Sequence, residues 1–313
     1  MSHDFCGTIH AMKPLSRHKR YTYLFICYVL FFALIPVVAF YASGYRIGED
    51  WTVTQTGGFF VHTSENGVLL TVDNEPSKVL GIFGSGFFVQ NLKPGIYDIA
   101  VTKTGFVPWY KKVAVFEGVV EETSSLLIPE RIIFQELKAD EDSTLLESGL
   151  ATTTDKDSRT ISSGKSIFEI VSKSFEENVP VKEEEIDRDE LLELFPENAI
   201  IKDEVVIYES NNSIETVWLG KQESIPYFFC IFGDCEAEII AYVSPEDIVH
   251  FDFYPNRTDT IIISTEKGIY AVSLDKTPPQ FFHPIYKSSG SDFRVVEGNL
   301  YIKDGQNFYR VLL

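Results

Sequence analysis

Methionine is almost missing from this chain: two residues in 313, against 25 Phe and 15 Tyr. That balance favours cores built from strands, where aromatic rings suit a pleated surface, over cores built from helices. Basic residues are scarce too, 27 Lys and Arg against 46 Asp and Glu, for a formal charge of −19. Residues 1–20 carry Lys13, Arg17, Lys19 and Arg20 against Asp4, a net +3, so everything downstream carries −22. A surface this acidic repels phosphate backbones and argues against a nucleic-acid partner. Catalytic spacing is also lacking. The six histidines (His3, His10, His18, His62, His250 and His283) form no HExxH and no Cys/His pair, and no GxSxG occurs. Ser163-Gly164-Lys165-Ser166 ends like a phosphate loop, but Arg159 stands where the loop needs glycine. The acidic runs do not alternate Asp or Asn with Gly as a calcium loop does. No catalytic, cofactor-binding or metal-binding residue is therefore assigned, and the expectation is a protein that is not an enzyme.

Long apolar runs are absent except for one, Tyr21 to Tyr41, about twenty residues without a charge. At ~1.5 Å per residue it spans a hydrocarbon core of ~30 Å. Basic residues precede it and only Arg46 follows closely, so the positive-inside rule predicts a cytoplasmic N-terminus and an extracytoplasmic remainder. The run exceeds the apolar region of a cleaved signal peptide, and bulky Phe40 stands where cleavage before Ser43 would want a small residue. An uncleaved, single-pass signal anchor is the expectation. Cys27 follows Ile26, too large for the residue before a lipidated cysteine.

Of four cysteines, Cys6 falls in the tail and Cys27 in the apolar run, whereas Cys230 and Cys235 lie close together outside it. Gly233-Asp234 between them suits a tight turn, so a Cys230–Cys235 hairpin disulfide is expected. Zinc would need two further ligands, and the nearest histidine, His250, stands alone.

Downstream of a juxtamembrane link (43–55), residues 56–129 read as short strands cut by turns. Glu65-Asn66-Gly67 predicts a hairpin, Asp73-Asn74-Glu75-Pro76 a second turn, and Lys93-Pro94-Gly95 a third. Ile96 to Lys103 alternates, with Tyr97, Ile99 and Val101 on one face. Six or seven such strands fit a small antiparallel β-sandwich. Trp109-Tyr110 reads as core, with stacking on a sugar face as the alternative.

The stretch Asn91-Leu92-Lys93-Pro94-Gly95-Ile96-Tyr97, continued through Lys103-Thr104-Gly105-Phe106 to Trp109, resembles the second half of a PEGA domain. Phe59 to Asp73 is similar to its first half, with Glu65, Val68 and Asn74 replacing the family's Pro, Ala and Gly. The resemblance covers about seventy residues. It implies a β-sandwich module of prokaryotic envelope proteins that binds or spaces and does not catalyse.

Residues 130–160 read as an acidic linker, and Lys182 to Phe195 as a short helix. Residues 136–197 hold 18 acidic against 7 basic side chains, a solvated face. From 161 to 313 the chain is expected to be β-rich. Ala199 to Glu209, Ile225 to Ile231 and Ile239 to Val243 read as strands. Ile248 to Tyr286 holds four strands in about forty residues, the size of a propeller blade. The order Phe251-Asp252-Phe253-Tyr254-Pro255, strand, Gly268-Ile269-Tyr270-Ala271-Val272 looks like blades joined to PEGA modules in envelope proteins. At most four such units fit, so a small or degenerate propeller and a further β-sandwich both stay open. The functional expectation is a membrane-anchored extracytoplasmic protein of the cell envelope that binds a surface polysaccharide or a protein, or serves as a spacer. The alternative is an extracytoplasmic hydrolase with its site in the C-terminal β domain.

Overall fold

The computed structural model describes residues 16–47, 51–79, 86–138, 167–177 and 195–313. Helix α1 (Arg17–Ala42) contains the uncharged run, with Pro36 inside it and none of its residues buried. It is long and apolar enough to cross a membrane. Beyond it, the stretch read as a bare link pairs with itself: β1 (Tyr45–Ile47) and β2 (Val53–Gln55) are antiparallel. Arg46 ties this hairpin to its neighbours. Its guanidinium lies 3.7 Å over the Tyr41 ring and donates to the carbonyls of Tyr41 and Tyr45 and to Asn91 Oδ1.

Seven strands then form a sandwich. One sheet holds β3 (Gly57–His62) between β6 (Gly86–Leu92) and β9 (Val120–Ser124); the other runs β5 (Glu75–Val79), β4 (Leu69–Val72), β7 (Gly95–Thr102), β8 (Trp109–Val115). Two expectations change here. The β3–β9 pair is parallel, because β9 returns to the module after the second sheet is complete. Glu65-Asn66-Gly67 makes no hairpin either, since β3 and β4 lie in different sheets. That loop crosses the sandwich and buries Val68 in its core. The tight hairpin is Asp73-Asn74, both at positive φ (48° and 65°), between paired Val72 and Glu75. Gly57 and Gly58 cannot carry side chains: a Cβ would lie 2.0 Å from the Phe116 carbonyl oxygen or 2.4 Å from that of Val89. Phe59, Val61, Leu70, Ile99, Val101, Trp109 and Val113 fill the interior. Trp109 is core as expected, whereas its neighbour Tyr110 points outward, 56 % exposed.

Among the described residues, the C-terminal half holds three four-stranded antiparallel sheets. The first is β11 (Ile200–Lys202), β12 (Val205–Ser210), β13 (Ser213–Trp218) and β16 (Glu238–Val243), with the β14 (Cys230–Ile231)/β15 (Asp234–Cys235) hairpin inserted before β16. Asp203 and Glu204, both at positive φ, split the single strand expected over Ala199 to Glu209. Tyr227–Phe229 is a 3₁₀ turn, so only the end of the stretch expected over Ile225 to Ile231 is strand. The second sheet is the meander β17 (Ile248–Phe253), β18 (Thr260–Thr265), β19 (Gly268–Ser273), β20 (Phe282–Tyr286). The third is β21 (Asp292–Val296), β22 (Asn299–Asp304) and β23 (Asn307–Leu312), completed by β10 (Ile133–Glu136). The stretch assigned to a linker thus opens with a structural strand.

The three sheets stack. Strand β18 is buried along its whole length: Ile261 and Ile263 pack toward the first sheet, Ile262 toward Phe293, Leu300 and Ile302 of the third. Helix α2 (Ile167–Glu177), absent from the expected elements, puts Val171 against Val296 and Tyr301 on the far side of the third sheet. Among the described residues these are blade-sized units in a stack, not closed into a barrel. The helix expected over Lys182 to Phe195 and the Gly164-Lys165-Ser166 stretch lie outside the described residues, apart from Phe195.

His250, on β17, is half-buried against Phe293 and near Arg294, and its Nε2, itself shielded from solvent, has no hydrogen-bond partner among the described residues. Burial, helped by the Arg294 charge and opposed by Asp292, lowers its pKa to about 4. Because the unfolded chain keeps a pKa near ~6.5, it binds the proton first as pH falls. Stability contributed by neutral His250 is full above pH ~6.5 and is lost between there and pH ~4, by about 3 kcal/mol. Denaturant unfolding at pH 7 and pH 4 measures this, and His250→Phe is expected to flatten that part of the profile. An unchanged acid limb in His250→Phe would refute the assignment.

Candidate binding cleft at the junction of the two halves

A cavity of about 750 Å³ opens where the sandwich meets the stacked sheets. Its walls come from the end of β3 and the loop after it (His62 to Glu65), the end of β9 and the segment after it (Ser124, Leu126, Leu127), the β17–β18 turn and the β21–β22 turn. The last strand contributes Val311 and Leu312.

Arg257 organises its floor. The β17–β18 turn places it, with Asn256 at φ 58° and the Arg257 N–H donating to the Tyr254 carbonyl. Its Nε and Nη2 hold Asp259 Oδ1 and Oδ2 at 2.7 and 2.6 Å. Nη2 also reaches Ser124 Oγ at 2.8 Å, and Nη1 the Ser125 carbonyl at 3.0 Å. One guanidinium therefore joins the two halves. Tyr227 donates its hydroxyl to Asp259 Oδ2, and Thr260 donates to Oδ1.

Electrostatics locks these groups in one state. Burial raises the Asp259 carboxyl, but the Arg257 charge and the hydrogen bonds from Arg257, Tyr227 and Thr260 outweigh it, leaving the pKa below the usual carboxylate value. Burial, reinforced by Asp259, pushes the Tyr227 phenol well above 10, and burial lifts Tyr254 to about 12. On the rim, Glu65 is held by Lys103 at 2.6 Å. The floor therefore offers fixed hydrogen-bonding groups and aromatic surface; neither its carboxylate nor its phenols change charge near neutral pH.

A second polar contact closes the junction beside the cleft. Lys111, on β8, is buried and puts its Nζ 3.0 Å from Asp275 Oδ2 and 3.1 Å from the Asp275 carbonyl. The Lys112 N–H donates to the Pro278 carbonyl at 2.9 Å. Burial lowers the Lys111 pKa, and attraction to Asp275 opposes this without cancelling it.

Cys230 and Cys235 face each other across the β14–β15 pair, with their sulfurs joined and their Cα atoms 4.0 Å apart. The turn between them is Phe232-Gly233, both at positive φ, one position earlier than expected. A Cβ on Gly233 would lie 2.7 Å from the Phe116 ring, so the hairpin tip sits against the sandwich. Closing so short a loop restricts the unfolded chain modestly, and Cys230→Ser with Cys235→Ser is expected to cost about 2 kcal/mol. Maleimide labelling without reductant is expected to miss both residues; labelling of both would exclude the bridge. Cys27 is free and exposed on α1. Among the described residues, no group of three or more His, Cys, Asp or Glu could hold a metal ion.

His62 lines the cleft, its ring edge-on to Phe60 at 4.5 Å, while His250 lies elsewhere, on β17 with its ring against Phe293. Arg257, Asp259, Tyr227 and Lys111 went unpredicted. Arg257 and Asp259 sit in a Pro-Asn-Arg-Thr-Asp turn that reads as solvated. Lys111 did leave a signal: on β8 it shares the inward phase with Trp109, Val113 and Val115.

No protein-family model and no curated protein matches this chain.

Proposed function

We propose that the chain is a single-pass, membrane-anchored binding protein of the prokaryotic cell envelope, with its N-terminus in the cytoplasm and its β-domains outside. Its ligand would seat in the cleft between the sandwich and the stacked sheets. The observation that carries this reading is the cleft itself, roomy, framed by both halves and floored by a satisfied Arg257–Asp259–Tyr227 network. The PEGA resemblance, the charge asymmetry around α1 and the missing catalytic spacings support it. Its lining includes Ser64, Asn256, Thr258 and Asn299, uncharged donors and acceptors, with the aromatic residues Tyr227 and Tyr254. Such a lining suits a hydroxyl-rich chain, so envelope polysaccharide is the first partner to test.

The full chain in nanodiscs, incubated with solubilised envelope polysaccharide, is expected to retain it. Ser64→Trp, at an exposed position on the rim, is expected to weaken retention at least about tenfold, the equivalent of ~1.4 kcal/mol. Retention of envelope protein alone, blocked by the same substitution, would move the ligand class to protein. Retention of neither would refute the reading.

A further inference from the structure

We infer that the β1–β2 hairpin is a second membrane contact, which lays Ile47, Trp51 and Val53 in the headgroup layer beside the end of α1. The inference rests on the proposed membrane anchoring and adds to it how the ectodomain stands on the bilayer.

Apolar exposure is the first observation. Ile47 and Val53 are direct cross-strand partners, yet they are 65 % and 51 % exposed. Trp51, in the connection between the two strands, is 86 % exposed. Exposed large side chains gathered in so small an element call for a partner. Trp is the residue that best suits a layer apolar on one side and wet on the other.

Distance is the second. The uncharged run ends at Tyr41, the helix at Ala42, and β1 starts at Tyr45. A three-residue strand reaches only about 10 Å. The headgroup region adds roughly 5–8 Å on each side of the hydrocarbon core. If α1 spans the bilayer, the hairpin has little room to lie elsewhere.

Rigidity is the third. Arg46 binds the Tyr41 and Tyr45 carbonyls, stacks on the Tyr41 ring and holds Asn91 of the sandwich. Phe40 stacks on Tyr45 with ring centres 4.6 Å apart. Thr56 donates both its N–H and its hydroxyl to the Gly44 carbonyl, at 2.9 and 2.8 Å. Helix end, hairpin and sandwich thus form one joint, and a bilayer that takes up α1 meets the hairpin in a set orientation. The occupant is therefore the interfacial layer of the same membrane.

The test uses the full chain in vesicles of phosphatidylcholine and phosphatidylglycerol, with and without lipid brominated near the headgroup. Trp51 emission is isolated as the difference between the native protein and Trp51→Ser. Bromolipid is expected to quench that component at least about twofold, and aqueous iodide to quench it several-fold less than in the detergent-free, lipid-free reference peptide Ile47 to Gln55. Val53→Asp is expected to reduce the bromolipid quenching while leaving Trp109 emission unchanged. Protein that floats with the vesicles but leaves Trp51 open to iodide and untouched by bromolipid would overturn the hairpin contact alone. Protein that fails to float would overturn the anchoring and the hairpin contact together.

Discussion

Arg257→Ala is expected to destabilise the protein by about 3–5 kcal/mol, because it strands a buried carboxylate. Asp259 is buried, and its two oxygens are held at 2.7 and 2.6 Å by the guanidinium. Tyr227 and Thr260 remain as donors after the substitution, but neither carries charge. The same change breaks the links to Ser124 and Ser125, so the damage falls on the junction of the two halves. Arg257→Lys should recover only part of the loss, since an ammonium cannot reproduce the planar fork. Urea unfolding of the full chain in micelles measures both variants. A loss below about 1 kcal/mol for Arg257→Ala would show that water enters and replaces the guanidinium.

Lys111→Ala should cost a similar amount, about 3–5 kcal/mol, for a related reason. Its side chain is 3 % exposed and that of Asp275 is 7 % exposed, so neither charge finds water if the other is removed. The pair is nevertheless not a strong net stabiliser: burial outweighs the attraction of Asp275 in setting the Lys111 pKa. Lys111→Met combined with Asp275→Asn should therefore recover most of the loss. Asparagine keeps an acceptor for the Thr277 N–H, which Asp275 Oδ1 now binds at 2.9 Å. A double variant as unstable as the single one would mean that the charge pair itself, not its desolvation balance, holds the junction.

Much of the fold can be read from periodicity. The apolar run of α1 and the alternation of β7 each reflect a local pattern and its solvent, and both stand where expected. The β18 run is legible for the same reason: three consecutive isoleucines suit a strand buried on both faces, and the stack buries it so. Helix α2 was missed although Ile167, Val171 and Phe175 recur every four residues, because its polar neighbours mask so short a face. Partnership between distant strands was much less legible. Nothing in Ile133 to Glu136 announces that it will pair with Asn307 to Leu312, since a strand's sequence specifies which face is apolar and not which edge accepts it. The Asn-Gly pair at 66 and 67 failed for the converse reason: it favours a tight turn, but burying Val68 in the sandwich outweighs that local preference.

From residues alone came the apolar helix long enough to cross a membrane, the β-rich class, the acid charge, the sandwich and the closeness of Cys230 and Cys235, all set by composition or by neighbours in the chain. The cleft and its floor came only from the tertiary structure. Arg257 meets Ser124 across 133 positions, and Lys111 meets Asp275 across 164. A buried charge tolerates its site only when a partner arrives from elsewhere in the chain, and that arrival depends on how whole sheets stack, which no local pattern encodes.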